Sequence, residues 1–599
     1  MNLFSSNQQT NVTGIPPEVL VEELSKLFDK LQLSEKQKCE ALTELATTKT
    51  DFDSIVKLVS GFLQAITREH IPLAQFPETL FRIVGEWQAA GARIDALSAS
   101  RNLTPRVAAL REKAQQAHAL GDFTEVIRLL DEIDAHEMEA ERRLMERQQE
   151  VVTELHLLRL DRIATKESQI SAALAGLQSV EVAQLVTQWV ELREEKPDKR
   201  FELLLIELEK YSTRGQNKGL NADLMVAIAI ARIVVQRARN RIERGIALWR
   251  LGIVLEMLGQ SESETGHLYE AIATLDLALS EFARAQVPQL WAGVQNSRGI
   301  TLEELGKREP GTVRLEQAME VYRVVLQVWT RDRDPQGWAS TQNNLGNVCT
   351  ELGQRKRDTE LLNQAVEAYR LALEERARDR VPQDWALTQN NLGTALKALG
   401  ERESGTALLK QAAESYCLAL QEWTRKNFPS NWARAHNNMG NALRLIGERE
   451  NNSTRLRQSV VAYRKALKEW THQRMPRDWA GLQNNLGNTL RMIGELKDDS
   501  ARLEEAVVAF GLALEERTRQ EAPWDWAITQ NNLGNAYRAL GKLEGGTIRL
   551  ERAVKAYELA LEVFTGETSP RWHDIAKGNL SACLTLLEQR RGPLALRNS

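Results

Sequence analysis

The stretch Trp338-Ala339-Ser340-Thr341-Gln342-Asn343-Asn344-Leu345-Gly346 decides the fold, because it returns along the chain at a constant interval. The next copy is Trp385-Ala386-Leu387-Thr388-Gln389-Asn390-Asn391-Leu392-Gly393. The stretch has six copies that start 47 residues apart, at Trp291, Trp338, Trp385, Trp432, Trp479 and Trp526. The copy at Trp291 matches the others less well. An unbroken period of this length indicates an array of one supersecondary unit.

Composition limits the class of protein. A chain of 599 residues is too long for one compact core, unless it is a repeat protein that grows in one dimension. The charged fraction is 27% and there are only 15 prolines, which favours a helical, soluble protein. The formal net charge of −4 provides no overall basic field for nucleic acid or a membrane surface.

Cysteine usage and hydropathy predict a cytoplasmic location. The four cysteines (Cys39, Cys349, Cys417 and Cys583) are far apart and form no CxxC pair, which is typical of reduced thiols. Residues 1–15 contain no signal-peptide pattern. No apolar run approaches the roughly 20 residues of a membrane helix.

The first 243 residues are irregular in pattern. We expect a disordered tail over 1–14 and a helical bundle over 15–100. Over 101–243 we expect a helical region with one degenerate hairpin, from Arg106 to about Arg142, and a long exposed, charged helix that includes Glu139 to Arg162. The near-heptad leucine spacing in that helix leaves a dimeric coiled coil as an alternative.

Seven units of 47 residues span 244–572, and a capping helix and tail follow over 573–599. In each unit helix A carries an apolar stripe, which includes the tryptophan wherever the unit has one. A glycine at the same place in every unit, such as Gly353, is expected to end helix A. Asp384, Asp478 and Asp525 are expected to cap helix A at its N-terminus. Helix B is expected to start with a hydroxyl N-cap in every unit, at Thr265, Thr312, Thr359, Thr406, Ser453, Ser500 and Thr547.

Helix B repeats a small residue, a large residue four positions later, and a second small residue. With the Leu-Gly of helix A, the residues Leu533, Gly534, Tyr537, Ala553, Tyr557 and Ala560 follow the order of the tetratricopeptide repeat. The array therefore resembles that family, with the 34 residues of its repeat lengthened to 47. The Asn-Asn-Leu-Gly segment of helix A resembles the repeats of kinesin-light-chain type that occur in many bacterial arrays. The resemblance implies an all-α, right-handed α-solenoid with a concave groove.

Asparagine is a poor helix former, so its repetition in helix A needs a reason. The resemblance implies that these positions face or border the groove, where amides bind the main chain of an extended peptide. A structural ladder between neighbouring helices is the alternative, and both roles are compatible. Four cations lie on the same face and suit an acidic partner. The candidate partner-binding residues are Asn343, Asn344, Asn347, Asn390, Asn391, Lys397, Asn437, Asn438, Asn441, Arg444, Asn484, Asn485, Asn488, Arg491, Asn531, Asn532, Asn535 and Arg538.

The sequence contains no HExxH, no G-x-S-x-G and no GxxxxGK[ST] motif. We therefore expect no cofactor, no metal site and no enzyme activity, but a scaffold that binds another protein or peptide. The N-terminal helices would supply a second contact or self-association. Three alternatives stay open, which are a regulatory subunit of a bacterial signalling or defence system, an RNA-binding protein, and an enzyme with an unrecognised site in residues 1–243.

Overall fold

The computed structural model describes residues 104–119, 122–145 and 151–595, together with Gly91, Ala92 and Ile94. All regular structure in these ranges is helical. The predicted tail over 1–14 and nearly all of the predicted bundle over 15–100 lie outside the described residues. The chain forms two compact units that divide between Leu305 and Gly306. The prediction of an all-α solenoid is confirmed, whereas its right-handed sense stays a prediction.

The first unit contains eight helices and most of a ninth among its described residues. They are α1 (Pro105–Ala119), α2 (Phe123–Met145), α3 (Val151–Ala175), α4 (Ser179–Arg193), α5 (Pro197–Lys218), α6 (Asn221–Arg237), α7 (Arg241–Ser261), α8 (Gly266–Glu281) and α9 (Pro288–Arg308). One apolar core runs from α1 to α8 and includes Leu130, Val186 and Ala227.

Helices α1 to α3 enclose a group of charged side chains. The Arg111 guanidinium lies 2.6 Å from the Glu137 carboxylate, and each residue is at most 2% exposed. Lys166, only 3% exposed, lies 3.3 Å from Asp134. Burial raises the pKa of Glu137 to about 7, against the opposing attraction of Arg111. The predicted long charged helix, which includes Glu139 to Arg162, falls on α2 and α3, and residues 146–150 between them lie outside the described residues. The second half of α3 buries Thr165, Lys166, Ser168 and Gln169.

The second unit alternates long A helices with shorter B helices. The A helices are α11 (Pro335–Lys356), α13 (Pro382–Gly400), α15 (Pro429–Arg449), α17 (Pro476–Lys497) and α19 (Pro523–Glu544). The B helices are α10 (Val313–Val325), α12 (Thr359–Glu375), α14 (Ala407–Glu422), α16 (Ser453–Ala466), α18 (Ser500–Glu516) and α20 (Ile548–Leu561). Helix α21 (Pro570–Ala595) follows them. We number the repeats 1 to 7 from residue 244 in steps of 47, so that repeat 5 covers 432–478.

Each A helix of this unit begins at a proline. Proline fits the first turn because its fixed φ is helical, and because an N–H at this position would have no acceptor within the helix. Asp384, Asp478 and Asp525 therefore lie inside the first turn, and their prediction as N-caps is wrong. In that position a carboxylate still interacts favourably with the positive end of the helix dipole.

The glycines near the end of each A helix serve close packing. Gly353 continues the helix, and a Cβ there would lie 2.8 Å from Leu362 of helix B. A Cβ on Gly346, seven residues earlier in the same helix, would lie 2.6 Å from the ring of Tyr369. Neither glycine has a positive φ. The predicted left-handed C-cap role is therefore wrong, and the absent side chain lets helix A approach helix B.

The predicted hydroxyl N-caps of helix B are corrected as well. In repeats 3, 5 and 6 the cap is the preceding residue (Asp358, Asn452 and Asp499), whose side chain accepts from backbone N–H groups. Thr265, Thr312, Thr406 and Thr547 do occupy the N-cap, but their hydroxyls make no capping hydrogen bond. The N-cap moves to the preceding residue where that residue is Asp or Asn, whose short side chain reaches the backbone N–H groups of the first turn.

Arginines from one repeat bind the end of the A helix before it. Arg402 donates to the carbonyl oxygen of Gly353 over 2.7 Å, and Arg449 donates to that of Gly400 over 2.6 Å. The last carbonyls of a helix have no partner within it. These contacts therefore satisfy helix ends and join successive repeats of the second unit.

Candidate partner-binding face

The asparagines of helix A form a hydrogen-bonded ladder between repeats. We call Asn343, Asn390, Asn437, Asn484 and Asn531 the first column, and Asn344, Asn391, Asn438, Asn485 and Asn532 the second column. Asn438 donates to Asn390 of the preceding repeat over 3.4 Å, and Asn532 donates to Asn484 over 3.1 Å. The ladder ends where Asn579 of α21 donates to Asn531 over 3.1 Å.

Burial divides the two columns. In the first column Asn343 and Asn390 are 3% exposed, and Asn531 is 4% exposed. The second column is half-buried. A buried amide needs partners because an unpaired polar group is costly to desolvate. The ladder supplies such partners, so the structural alternative for these asparagines has direct support, while their contact with a partner stays a prediction.

A third column of polar residues lies one turn further along helix A and binds the tyrosine of helix B. The Tyr369 hydroxyl donates to Asn347 over 2.8 Å, and Tyr463 donates to Asn441 over the same distance. Tyr557 donates to Asn535 over 2.8 Å. Repeat 6 has Phe510 at this place, which has no hydroxyl. These bonds fix the orientation of amides that remain half-buried.

Three of the four predicted cations are paired within their own helix. Lys397 lies 3.0 Å from Glu401, Arg444 lies 3.0 Å from Glu448, and Arg491 lies 2.5 Å from Glu495. Arg538 instead has Lys542 four residues on and lies 3.5 Å from Asn535. The net positive charge of this face is therefore concentrated in repeat 7.

Sequence analysis missed a bridge between repeats that includes the tryptophans. A basic residue stands seven positions before each of these tryptophans. An arginine at this place lies over the ring in repeats 2, 3, 4 and 7, with Arg378 5.2 Å from the centre of Trp385. The same Arg378 lies 2.6 Å from Glu422 of the next helix B. His472 takes this place before Trp479 and contacts Glu516. The signal was present in the sequence as a basic residue at a constant offset from the tryptophan.

The tryptophans are half-buried rather than fully buried. Trp385 packs at the edge of a cluster that contains Ala386, Ala419 and Trp423. Its packing role agrees with the sequence prediction, but part of the ring is left to the arginine, since a cation over an aromatic face is attracted by the ring's negative face.

Repeat 5 departs from its neighbours at a buried position. His436 stands where the other copies have glutamine, is 5% exposed, and lies edge-on to Trp432 at 4.5 Å between ring centres. Burial, together with the nearby charge of Lys465, lowers the pKa of His436 to about 4. His436 is therefore neutral at physiological pH.

The described residues contain no group of three or more His, Cys, Asp or Glu side chains placed to hold a metal ion. Within the same ranges, no helix has the length and the apolar character needed to cross a membrane.

Comparison with known families identifies the hairpins. Residues 385–422 and 526–564 match the family described as "Tetratricopeptide repeat". These two hairpins are therefore tetratricopeptide repeats, as the Leu-Gly, tyrosine and alanine positions predicted. None of the curated proteins matches the chain.

Solved structures show weak likeness to the whole chain. The apo form of RapI is 14% identical, with a TM-score of 0.37, and the match covers 65% of this chain and 99% of RapI. Yeast Tom70 is 12% identical, with a TM-score of 0.23 and coverage of 79% and 95%. The TPR2AB domain of yeast Sti1, in a complex with pHSP90, is 19% identical, with a TM-score of 0.17 and coverage of 50% and 98%. Likeness at this level carries no conclusion about function.

Proposed function

We propose that the chain is a non-catalytic scaffold that binds a partner protein or peptide along the helix A face of its array, in the concave groove that the tetratricopeptide resemblance implies. Tetratricopeptide repeats support a protein–protein interaction scaffold in general. The observation that favours this face is its regularity. The second and third columns recur every 47 residues, and their amides are half-buried; in repeat 4 the third column has Thr394 instead of an asparagine.

Fixed amides favour binding of an extended main chain. Tyr369, Tyr463 and Tyr557 each hold one amide of the third column by a hydrogen bond of 2.8 Å. A side chain that is already held loses less conformational freedom when a ligand binds, so more of the interaction energy is available for affinity. The remaining N–H groups of such amides suit the carbonyl groups of a peptide.

The pairing of the cations changes the expected charge of the partner. Lys397, Arg444 and Arg491 are largely neutralised by their glutamates, so an acidic segment would be favoured mainly near Arg538 and Lys542. The same pairing argues against RNA, since RNA binding depends on cations that neutralise phosphates.

The test uses residues that the chain itself carries at these positions. Repeat 3 has Thr350 where the next repeats have Lys397, Arg444 and Arg491. We expect the triple variant Lys397→Thr, Arg444→Thr, Arg491→Thr to capture its partner from native lysate about tenfold less well. The glutamates that these cations neutralise would be left unpaired, so the face would become acidic and repel an acidic partner. Capture would be quantified by mass spectrometry.

The matched control replaces three exposed cations of the B helices, namely Lys410→Thr, Arg464→Thr and Lys555→Thr. Its total charge equals that of the triple variant, so an unspecific electrostatic effect would appear in both. Equal capture by the two variants, or no protein captured by the wild type, would contradict the proposal.

A further inference from the structure

An open groove lies on the helix B side of repeat 5. Its volume is about 500 Å³, and it is lined by α14, α15 and α16. Met439 and Leu443 of α15 line it together with Val461 of α16. These positions lie roughly opposite Asn441 and Arg444 on the helix A surface, because a residue advances the helix by about 100°. The groove is thus separate from the candidate partner-binding face.

A small side chain opens one wall of the groove. Ala413 of α14 lines it, and the same position one repeat later is Val460. Every other repeat of the array has a larger apolar residue there, namely Ile272, Met319, Val366, Val460, Val507 and Val554. Val460 is 6% exposed and packs in the core between repeats 5 and 6. The smaller alanine leaves space that the array fills elsewhere.

Two further lining residues suit a ligand: Lys465, which has no equivalent cation in another repeat, and Val461, whose position is also valine in repeat 6. Val461 is 54% exposed, whereas the two preceding repeats have Glu367 and Glu414 at that position. Lys465 also lines the groove, in place of a leucine at Leu371, Leu418, Leu512 and Leu559. An exposed apolar side chain beside a cation that replaces an apolar residue brings no stability to the repeat itself. Both substitutions face the same space.

The groove is basic and its lining includes no carboxylate. Arg455 and Arg457 lie along it with Lys465. Arg457 donates to the hydroxyls of Ser453 and Thr454 over 3.3 and 3.0 Å, and so retains its full charge. In repeat 6 the positions equivalent to Arg457 and Gln458 are Glu504 and Glu505. No other repeat of the array has a cation at all three of the positions of Arg455, Arg457 and Lys465.

We propose that this groove binds a short segment of a partner protein in which one apolar side chain is flanked by Asp or Glu. The apolar side chain would occupy the space beside Ala413, against Met439 and Leu443. The carboxylates would pair with Arg457 and Lys465, since guanidinium groups bind carboxylates through two parallel hydrogen bonds. The volume suits one or two side chains rather than a broad surface. This contact is additional to the helix A face and does not depend on it.

The test is a selection of random dodecapeptides displayed on phage, with the full chain as target. We expect enrichment of peptides that combine Leu, Met or Phe with neighbouring Asp or Glu. An enriched peptide would then be synthesised and its Kd measured by fluorescence anisotropy. A poly-glutamate peptide and a nucleic-acid oligomer of equal charge serve as competitors. Competition by either one at the same concentration as the selected peptide would overturn the proposal.

Three variants restore residues that other repeats carry, so the array tolerates them. Ala413→Val narrows the groove beside α14, and Val461→Glu places a carboxylate at its edge. Lys465→Leu removes one of its three cations. We expect each to weaken the selected peptide at least about tenfold. Val508→Glu, at the position of Val461 in repeat 6, is the matched control and leaves the Kd unchanged. If no peptide were enriched on the wild type, or if binding survived Ala413→Val, the proposal would be overturned. Neither result would bear on the proposed contact at the helix A face.

Discussion

The N-terminal helices α1 to α3 and the repeats of the second unit both bury polar side chains, but of different kinds. The first region buries charges such as Arg111 and Glu137, which meet in one place. The second buries neutral amides such as Asn390 and Asn484, which occupy the same position in different repeats. An amide is both donor and acceptor, so one residue type can bond to its own copy. A charged residue would meet its own sign, so a ladder of charges could not repeat.

The difference also predicts how sensitive each region is to mutation. A buried charge without its partner carries the full cost of desolvation, whereas a buried amide without its partner loses a neutral hydrogen bond. The largest effects should therefore come from α1 to α3, and the intermediate effects from the ladder.

The largest effect is expected from Arg111→Met. It leaves the buried Glu137 carboxylate without its cation at 2.6 Å, so we expect the first unit to lose about 3–5 kcal/mol of unfolding free energy. The loss would be measured by urea denaturation and by hydrogen exchange of α1 and α2. Arg128→Met is the control, because Arg128 is exposed and pairs with Glu125 and Glu132 of its own helix. A loss as large in the control would remove the distinction.

Asn484→Ala should have an intermediate effect. It removes the acceptor 3.1 Å from Asn532, and we expect a loss of about 1–3 kcal/mol in the unfolding free energy of the second unit. Asn363→Ala, on the exposed side of helix B, should change it by no more than about 0.5 kcal/mol. If the variant kept full stability but lost its partner, the first column would belong to the binding face rather than to the ladder.

A double-mutant cycle sharpens this measurement. Asn484→Ala and Asn532→Ala should be less costly together than the sum of the single changes, since one bond is removed only once. Additive losses would show that the two amides act independently.

A pH dependence of stability is also expected, confined to the first unit. The pKa of Glu137 is 4.5 in the unfolded reference and about 7 in the fold, because burial disfavours its charged form. Between these values the folded state binds more protons than the unfolded state, so stability falls as pH rises through this window. We expect Glu137→Gln to show a shallower fall between pH 4.5 and 7 in thermal melts. An identical slope in both proteins would show that Glu137 does not control it.

The repeat period, the alternation of helices A and B and the tetratricopeptide assignment follow from the sequence, because they depend on spacing. Positions such as Tyr557 and Ala553 keep their chemistry in nearly every repeat. The roles of Gly353 and Thr359 were wrong because a sequence shows that a residue recurs but not which atoms meet it. Gly353 is explained by Leu362 in the facing helix, and Thr359 by the competing carboxylate of Asp358.

The candidate binding face was predicted as a set of columns, and the structure shows the hydrogen bonds that join them. Those bonds link residues 44 or 48 positions apart, such as Asn391 with Asn347 and Asn438 with Asn390. The sequence left the ladder and the peptide contact as alternatives, because both use the same amides. Their geometry supports the ladder, and the contact with a partner remains to be tested as described above.

By itself, the sequence determined that this protein is a helical array of one 47-residue unit and which positions belong to each helix. It did so because helix periodicity and repeat spacing are properties of the chain alone. Only the tertiary structure decided that the cations of helix A are paired with glutamates, that Arg111 and Glu137 share an interior, and that Ala413 opens a groove. These depend on what packs against each side chain, since burial and pairing arise between elements that are distant in sequence.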